Sequence, residues 1–208
     1  MPSVYDLKPR FQALLRPLMK RLARAGLTPN AITLIAVAGS IAAGAAVSQA
    51  GRRPVLLLLL PVWLFARMAL NAIDGMMARE LNMASPLGAV LNELGDALSD
   101  LGLYLPLAFV REESAWPVIA FSIGAVLTEF CGLLGRALGA SRRYDGPMGK
   151  SDRAFVVGAT GLASFALPEA LALWSWIFSV AAALTVVTCL NRLSKSLKEL
   201  KAMAAGER

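Results

Sequence analysis

Asn71, Asp74 and Ala78 fall at i, i+3 and i+7 of one apolar stretch, and Gly88, Asn92, Asp96 and Asp100 recur at i+4 steps in the next. On helices each set occupies a single face. Ionisable residues inside apolar helices are expensive and mark function by default. Carboxylate and amide oxygens on two facing helices suit a hard divalent cation, and such a cation suits phosphate chemistry. Arg79 ends the first stretch, where a guanidinium could neutralise a diphosphate. Gly75, Ala78 and Gly88 remove side-chain bulk where helices and a ligand must approach closely. A polar helix-helix interface without a ligand would accommodate isolated Asn and Asp residues, but it fits seven regularly spaced positions poorly.

The elements that carry these residues are membrane-grade. The chain has 208 residues, 57% of them hydrophobic, and a mean hydropathy of +0.59. That exceeds the roughly half-apolar composition of soluble domains. Apolar windows predict six spans, each near the ~20 residues that cross a bilayer: Ala31–Gln49, Pro54–Ala78, Pro86–Val110, Ala115–Ala140, Asp152–Leu167 and Glu169–Asn191. The fifth is short, and Pro168 alone separates it from the sixth, so a tight helical hairpin is expected there. The short link between the second and third predicts antiparallel neighbours whose polar stripes converge. Ahead of the spans, Leu7, Phe11, Leu14, Leu15, Leu18, Met19 and Leu22 alternate with Lys8, Arg10, Arg16, Lys20, Arg21 and Arg24. That pattern predicts an amphipathic helix lying in the membrane surface. The expected fold is therefore all-α, a polytopic membrane protein of six transmembrane helices plus an N-terminal amphipathic interfacial helix. It forms one membrane domain over 1–208: a basic juxtamembrane segment 1–30, a core 31–191 and a basic tail 192–208.

Charge excludes several functions. With both termini in the cytoplasm, 16 of the 21 Lys and Arg residues fall on the inner side and three (Arg52, Arg53, Arg111) on the outer side. This positive-inside bias opens the polar cluster to the cytoplasm. The net charge of +7 follows that topology and shows no aromatic-interleaved basic surface, so nucleic acid is not an expected partner. Histidine is absent, which removes His-based metal sites and triads. Cys131 and Cys189 lie in apolar stretches without zinc spacing, and read as buried, inert thiols. Any metal is thus held by oxygen: Mg²⁺, Mn²⁺ or Ca²⁺ rather than zinc.

The run from Asn71 to Asp96 resembles the signature of the CDP-alcohol phosphotransferase (CDP-alcohol phosphatidyltransferase) family, D-x2-D-G-x2-A-R-x8-G-x3-D-x3-D. Asn71, Asp74, Gly75, Ala78, Arg79, Gly88, Asn92 and Asp96 keep every spacing. The upstream Leu27-Thr28-Pro29-Asn30-Ala31-Ile32-Thr33 resembles the segment that opens the family's first span. Within the family the chain is most similar to a bacterial inner-membrane branch. The resemblance implies transfer of a substituted phosphate from a CDP-linked alcohol, commonly CDP-diacylglycerol, to an acceptor alcohol, with release of CMP, in phospholipid biosynthesis. It implies Mg²⁺ or Mn²⁺ as cofactor, a homodimer, membrane lipids as partners, and a multi-pass protein of the bacterial cytoplasmic (inner) membrane. On this chain Asn71, Asp74, Asn92 and Asp96 would surround the metal, and Asp74, Gly75, Ala78, Arg79 and Gly88 would cradle the CDP group. Asp96 matches the motif position of the base for the acceptor hydroxyl.

Two departures stand out: the first and third motif aspartates are Asn71 and Asn92. An amide oxygen still ligates Mg²⁺, but each change removes a negative charge. One tightly held cation is therefore expected, or a second supplied mainly by the diphosphate. Glu93 points about 100° away from Asn92; it is an accessory anion if its face borders the cavity, and an interfacial or dimer-contact carboxylate otherwise. Asp100, a possible further ligand, lies deeper and is expected to pair with Arg67, with Glu129 as the alternative partner. Gly149-Lys150-Ser151-Asp152-Arg153 enters the fifth span with two cations, so Lys150 and Arg153 are candidates for a phosphorylated acceptor or the donor diphosphate. Two other functions compete: a catalytically silent CDP-lipid-binding homologue, raised by Asn71 and Asn92, and a small transporter, for which the Gly, Ala and Arg elements have no rationale.

Overall fold

The computed structural model describes residues 4–206, with side chains from Pro9 onward. The side chains of Leu7 and Lys8, and the ends of the expected domain at 1–3 and 207–208, lie outside the described residues. Among the described residues seven α-helices follow in order: α1 Val4–Arg24, α2 Pro29–Val47, α3 Leu59–Glu80, α4 Pro86–Tyr104, α5 Ala115–Ala137, α6 Lys150–Ala166 and α7 Trp174–Gly206. No strand occurs among the described residues. Tight 3₁₀ turns over Pro54–Leu58, Leu105–Phe109 and Pro168–Leu173 complete the stretches expected as the second, third and sixth spans.

Local sequence explains where the site-bearing helices begin. Thr28 caps α2 by accepting from Ala31 N at 3.2 Å, with Pro29 in the first turn. Ser85 caps α4 in the same way, accepting from Gly88 N at 3.0 Å ahead of Pro86. A hydroxyl followed by proline satisfies orphan N–H groups and presets the first turn.

Among the described residues four stretches are long and apolar enough to cross a membrane: Pro29–Val47, Pro54–Glu80, Glu112–Ala137 and Pro168–Gly206. The outward faces carry Leu34, Val62, Phe65, Phe109, Trp116, Phe155, Trp176 and Leu190, all exposed. In water so much exposed apolar surface would be a liability, whereas in hydrocarbon it is the solvated face. One half of the bundle is filled by an apolar core of Leu57, Leu60, Leu64, Leu103, Tyr104, Phe121, Trp174 and Phe178, among others. Its rings meet tilted or edge-on, at centroid separations of 5.4 to 5.5 Å. The other half, where α3, α5 and α7 end and α4 and α6 begin, holds the buried charges.

α2 packs against both α3 and α4, α3 against α6, and α5 against both α4 and α7. α3 and α4 are not the packed antiparallel neighbours their short link suggested. α2 lies against both, and what joins α3 to α4 at mid-height is side chains, Asn71 to Asp96 and Arg67 to Asp100. Polar stripes and a guanidinium between the two helices keep their backbones apart and leave a cleft. α7 continues unbroken to Gly206, through the segment expected as a basic tail, with Arg192 and Ser196 buried.

Close helix contact fixes the height of α4. A Cβ on Gly44 of α2 would stand 2.0 Å from Gly102 O of α4. Gly44→Ala should therefore destabilise the protein by about 1–3 kcal/mol through overpacking. Thermal unfolding in detergent reads this, with Gly206→Ala, where a Cβ meets nothing within 4 Å, as the control.

α1 crosses the end of the bundle. Leu15 and Met19 are buried with Ile32, Ile73, Met76 and Met77, and Arg16 makes a two-pronged contact to Glu80, both distances 2.9 Å.

Candidate active site between α3 and α4

Asp74 is 4% exposed. Its Oδ2 accepts from Thr33 Oγ1 at 2.8 Å, and its Oδ1 is buried without a hydrogen-bond partner. Thr33 in turn sits one helical turn from Asn30, whose Oδ1 lies 2.8 Å from where a Gly88 Cβ would be. Gly88 therefore lets the first turns of α2 and α4 meet, with the Asn30 amide and the Ser85 hydroxyl against it. On α3 the Arg79 guanidinium folds back over Gly75: a Cβ there would lie 3.1 Å from Arg79 Nη1. Ala78 is half-buried between them in sequence.

Across the cleft, Asn71 Nδ2 donates to Asp96 Oδ1 at 3.3 Å. The same carboxylate oxygen takes the Lys150 ammonium, and Arg67 Nη2 lies 3.7 Å from it. The chain thus brings Asn71, Asp96 and Lys150 together, with Asp74 three residues along α3 from Asn71 on the same helix face. Asn92 lies one turn toward the open end and is exposed.

Beneath them the charges form a continuous chain. Arg67 Nη1 donates to Asp100 Oδ1 at 2.5 Å, the pairing expected from sequence depth. Arg153 donates to Asp100 Oδ2 from Nη2 at 2.9 Å and from Nε at 3.2 Å. It also donates to Glu129 Oε1 at 2.8 Å, Thr128 Oγ1 at 2.7 Å and Met148 O at 3.1 Å. Arg153 is 0% exposed. The sequence offered it as a candidate for a phosphorylated acceptor or the donor diphosphate; in the structure all of its nitrogens are taken by groups of α4, α5 and the preceding loop. Asp100 is likewise saturated by two guanidinium groups and lies below the metal-type oxygens rather than among them. Glu93 pairs with Arg142 and so ties α4 to the α5–α6 loop instead of facing Asp96.

That loop, residues 138–149, is strapped down along its length. Ser141 N and Oγ donate to Glu199 at 2.9 and 2.8 Å, Arg143 also reaches Glu199, and Arg192 Nε donates to Asp145 O at 3.1 Å. Lys195 Nζ donates to Asp145 Oδ1 at 2.6 Å and holds that carboxyl below the ordinary carboxylate range. A lowered folded value means this contact supports the strap above the unfolded value and is lost as pH falls through the lowered one.

Asn30, Thr33, Thr128 and Arg192 had no assigned role in the sequence. Asn30 and Thr33 share a face of α2 at i, i+3, a spacing that points them together toward whatever α2 packs against. Nothing in the spacing marks Arg192, whose partners are the carbonyls of Tyr144 and Asp145 in the loop and of Thr128 on α5.

Does this donor set fit a divalent cation? Among the described residues no three Asp, Glu, His or Cys side chains converge as a metal-holding group. The fit depends on amide oxygens joining two carboxylates, which hard cations accept. The partnerless, buried Asp74 Oδ1 is the observation in its favour, since such an acceptor is costly unless something completes it.

Comparison with known proteins gives the class. A model of the CDP-alcohol phosphatidyltransferase family matches residues 26–190. The chain belongs to that family and is by class a CDP-alcohol phosphotransferase. It is 47% identical over 190 residues to the inner membrane protein YnbA of Escherichia coli, covering 91% of this chain and 94% of that protein. It is 29% identical over 193 residues to the phosphatidylinositol phosphate synthase of Mycobacterium tuberculosis, 88% of this chain and 85% of that one. The crystal structure of that synthase with CDP-DAG bound superposes with a TM-score of 0.74 at 23% identity over 86% of this chain and 92% of that chain. A second, in complex with manganese and citrate, gives 0.74 at 23% identity over 87% and 88%. The structural likeness establishes the shared fold.

Proposed function

We propose that this chain is a phosphatidyltransferase of the bacterial inner membrane that moves a phosphatidyl group from CDP-diacylglycerol to an alcohol, releasing CMP. The observation that carries the reading is the contact of Asn71 with Asp96 across the α3–α4 cleft at the family's spacing, with Asp74 on the same face of α3 and its Oδ1 buried and unpaired. The family relatives crystallised with CDP-DAG and with manganese support the donor and the metal class.

In this reading α2 to α7 are six spans. α4 is excluded by strict apolarity because it carries Glu93, Asp96 and Asp100, and α6 because it has only 17 residues. Both termini are cytoplasmic, α1 lies in the membrane surface with Leu14 and Leu18 toward the lipid, and two copies form a homodimer. The single membrane domain spans the chain.

Asp74, Asp96, Asn71 and Asn92 hold Mg²⁺ or Mn²⁺, which when bound neutralises the donor diphosphate. Gly75 and Gly88 leave room for the CDP group, Ala78 lines it, and Arg79 and Lys150 face its phosphates. Asp96 takes the proton of the acceptor hydroxyl. The freed oxygen bonds to the phosphatidyl phosphorus, the phosphoanhydride bond breaks, and its electron pair leaves on CMP.

The test is release of CMP by the purified protein from CDP-diacylglycerol with Mn²⁺ or Mg²⁺ and a panel of alcohols. Metal-dependent CMP release supports the transferase. Donor binding without turnover across the panel supports the silent homologue, which Asn71 and Asn92 favour. In that case the double variant Asn71→Asp, Asn92→Asp is expected to gain CMP release that the natural chain lacks.

A further inference from the structure

We propose that Lys150 is a resident cation of this site, serving as the second positive centre where the two missing motif carboxylates cannot hold a second divalent ion. The inference rests on the metal reading above and names what this chain does differently.

The charge count around the cleft is short. The facing acids are Asp74 and Asp96, while Asn71 and Asn92 are neutral. Asp96 Oδ1 already receives the Lys150 ammonium and the Asn71 amide, with Arg67 at 3.7 Å. Arg67 and Arg153 are together balanced by Asp100 and Glu129, so two carboxylates and one ammonium leave about one negative charge for a metal. Such a site supports one divalent ion, and a second would meet Lys150 as a like charge in a low-dielectric interior.

The position of Lys150 is built, not incidental. It is the first residue of α6, and that helix start is fixed twice. Asp152 Oδ2 accepts from Gly149 N at 2.9 Å, and Arg153, one turn inward, is locked to Asp100, Glu129, Thr128 and Met148 O. Arg153 is therefore a positioning residue that sets Lys150 over Asp96. The two motif substitutions sit on α3 and α4, the lysine on α6, and they compensate in one place.

Titration of the metal-stripped protein in detergent with Mn²⁺ alone, following free Mn²⁺ by electron paramagnetic resonance, tests this. The natural chain should bind one Mn²⁺. Lys150→Met should bind it at least roughly tenfold more tightly, since a charge about one ligand distance away is removed. Lys150→Arg should stay near the natural affinity, and Lys150→Met with Asn71→Asp and Asn92→Asp should bind two. Where Lys150→Met loses its melting transition, Lys150→Gln takes its place. Two Mn²⁺ per natural chain, or an unchanged or weakened affinity in the neutral variant, overturns the proposal. No Mn²⁺ bound overturns the metal reading with it, whereas failure of CMP release with one Mn²⁺ bound overturns the transferase reading alone.

Discussion

Asp96→Asn is expected to reduce metal-dependent CMP release by roughly 10²–10⁴-fold, the usual scale for removing a positioned general base. The substitution keeps the shape of the side chain and one acceptor oxygen, so the contacts with Asn71 and Lys150 lose strength more than geometry. Melting temperature should accordingly move far less than activity. Asp74→Asn offers the contrast. Its Oδ2 is held by Thr33 and its Oδ1 is unpaired, so an amide there keeps the Thr33 contact and removes both a costly buried charge and a metal-type anion. That variant should lose Mn²⁺ affinity and activity together, with stability unchanged or raised. A loss of stability in both variants with proportionate loss of activity would make the two acids structural, and a variant Asp96→Asn with near-natural turnover would remove it as the base.

How far the site was readable follows from the kind of information each residue carries. The stripe on α3 and α4 was legible because function demands fixed spacing on one helix face, and spacing is a property of sequence. Arg67 and Asp100 were legible as a pair because rise per residue converts position into depth, and two opposite charges at one depth seek each other. Arg153 was not. Its place near a loop, among Arg142, Arg143 and Lys150, is what topology alone produces on a cytoplasmic side, and nothing local shows that α6 begins inside the bundle. Arg192 was hidden for a similar reason, since it sits where a span was expected to end and a basic tail to begin. α7 instead runs on, because Arg192 has carbonyls of residues 128, 144 and 145 to satisfy. The cleft itself needed three dimensions: a short link implied packed neighbours, and the interposed charges hold α3 and α4 apart.

The largest stability loss is expected from Arg153→Met. Arg153 is enclosed by Asp100 and Glu129, and removing it leaves two carboxylates facing each other inside the bundle with Arg67, Arg142 and Arg192 as their remaining cations. Breaking one partner out of a buried ionic set costs about 3–5 kcal/mol. The exposed pair of Arg16 and Glu80 provides the scale: Arg16→Met should shift the melting temperature little, because solvent screens that contact. The shared carboxylate also decides how the charges can be exchanged. In an isolated pair, reversing both Arg67 and Asp100 restores the attraction. Here an arginine at 100 would face Arg153, so Arg67→Glu with Asp100→Arg should remain destabilised, and adding Arg153→Glu should recover part of the loss. Thermal unfolding of the single, double and triple variants in one detergent measures the coupling directly. Full recovery in the double variant would mean that Arg153 and Asp100 do not share charge. Absence of recovery in the triple would place the cost in packing rather than in the ionic set. Because Arg153 also fixes the start of α6, the same variant should loosen Lys150 from Asp96, so its effect on Mn²⁺ affinity should follow that of Lys150→Met while its stability does not.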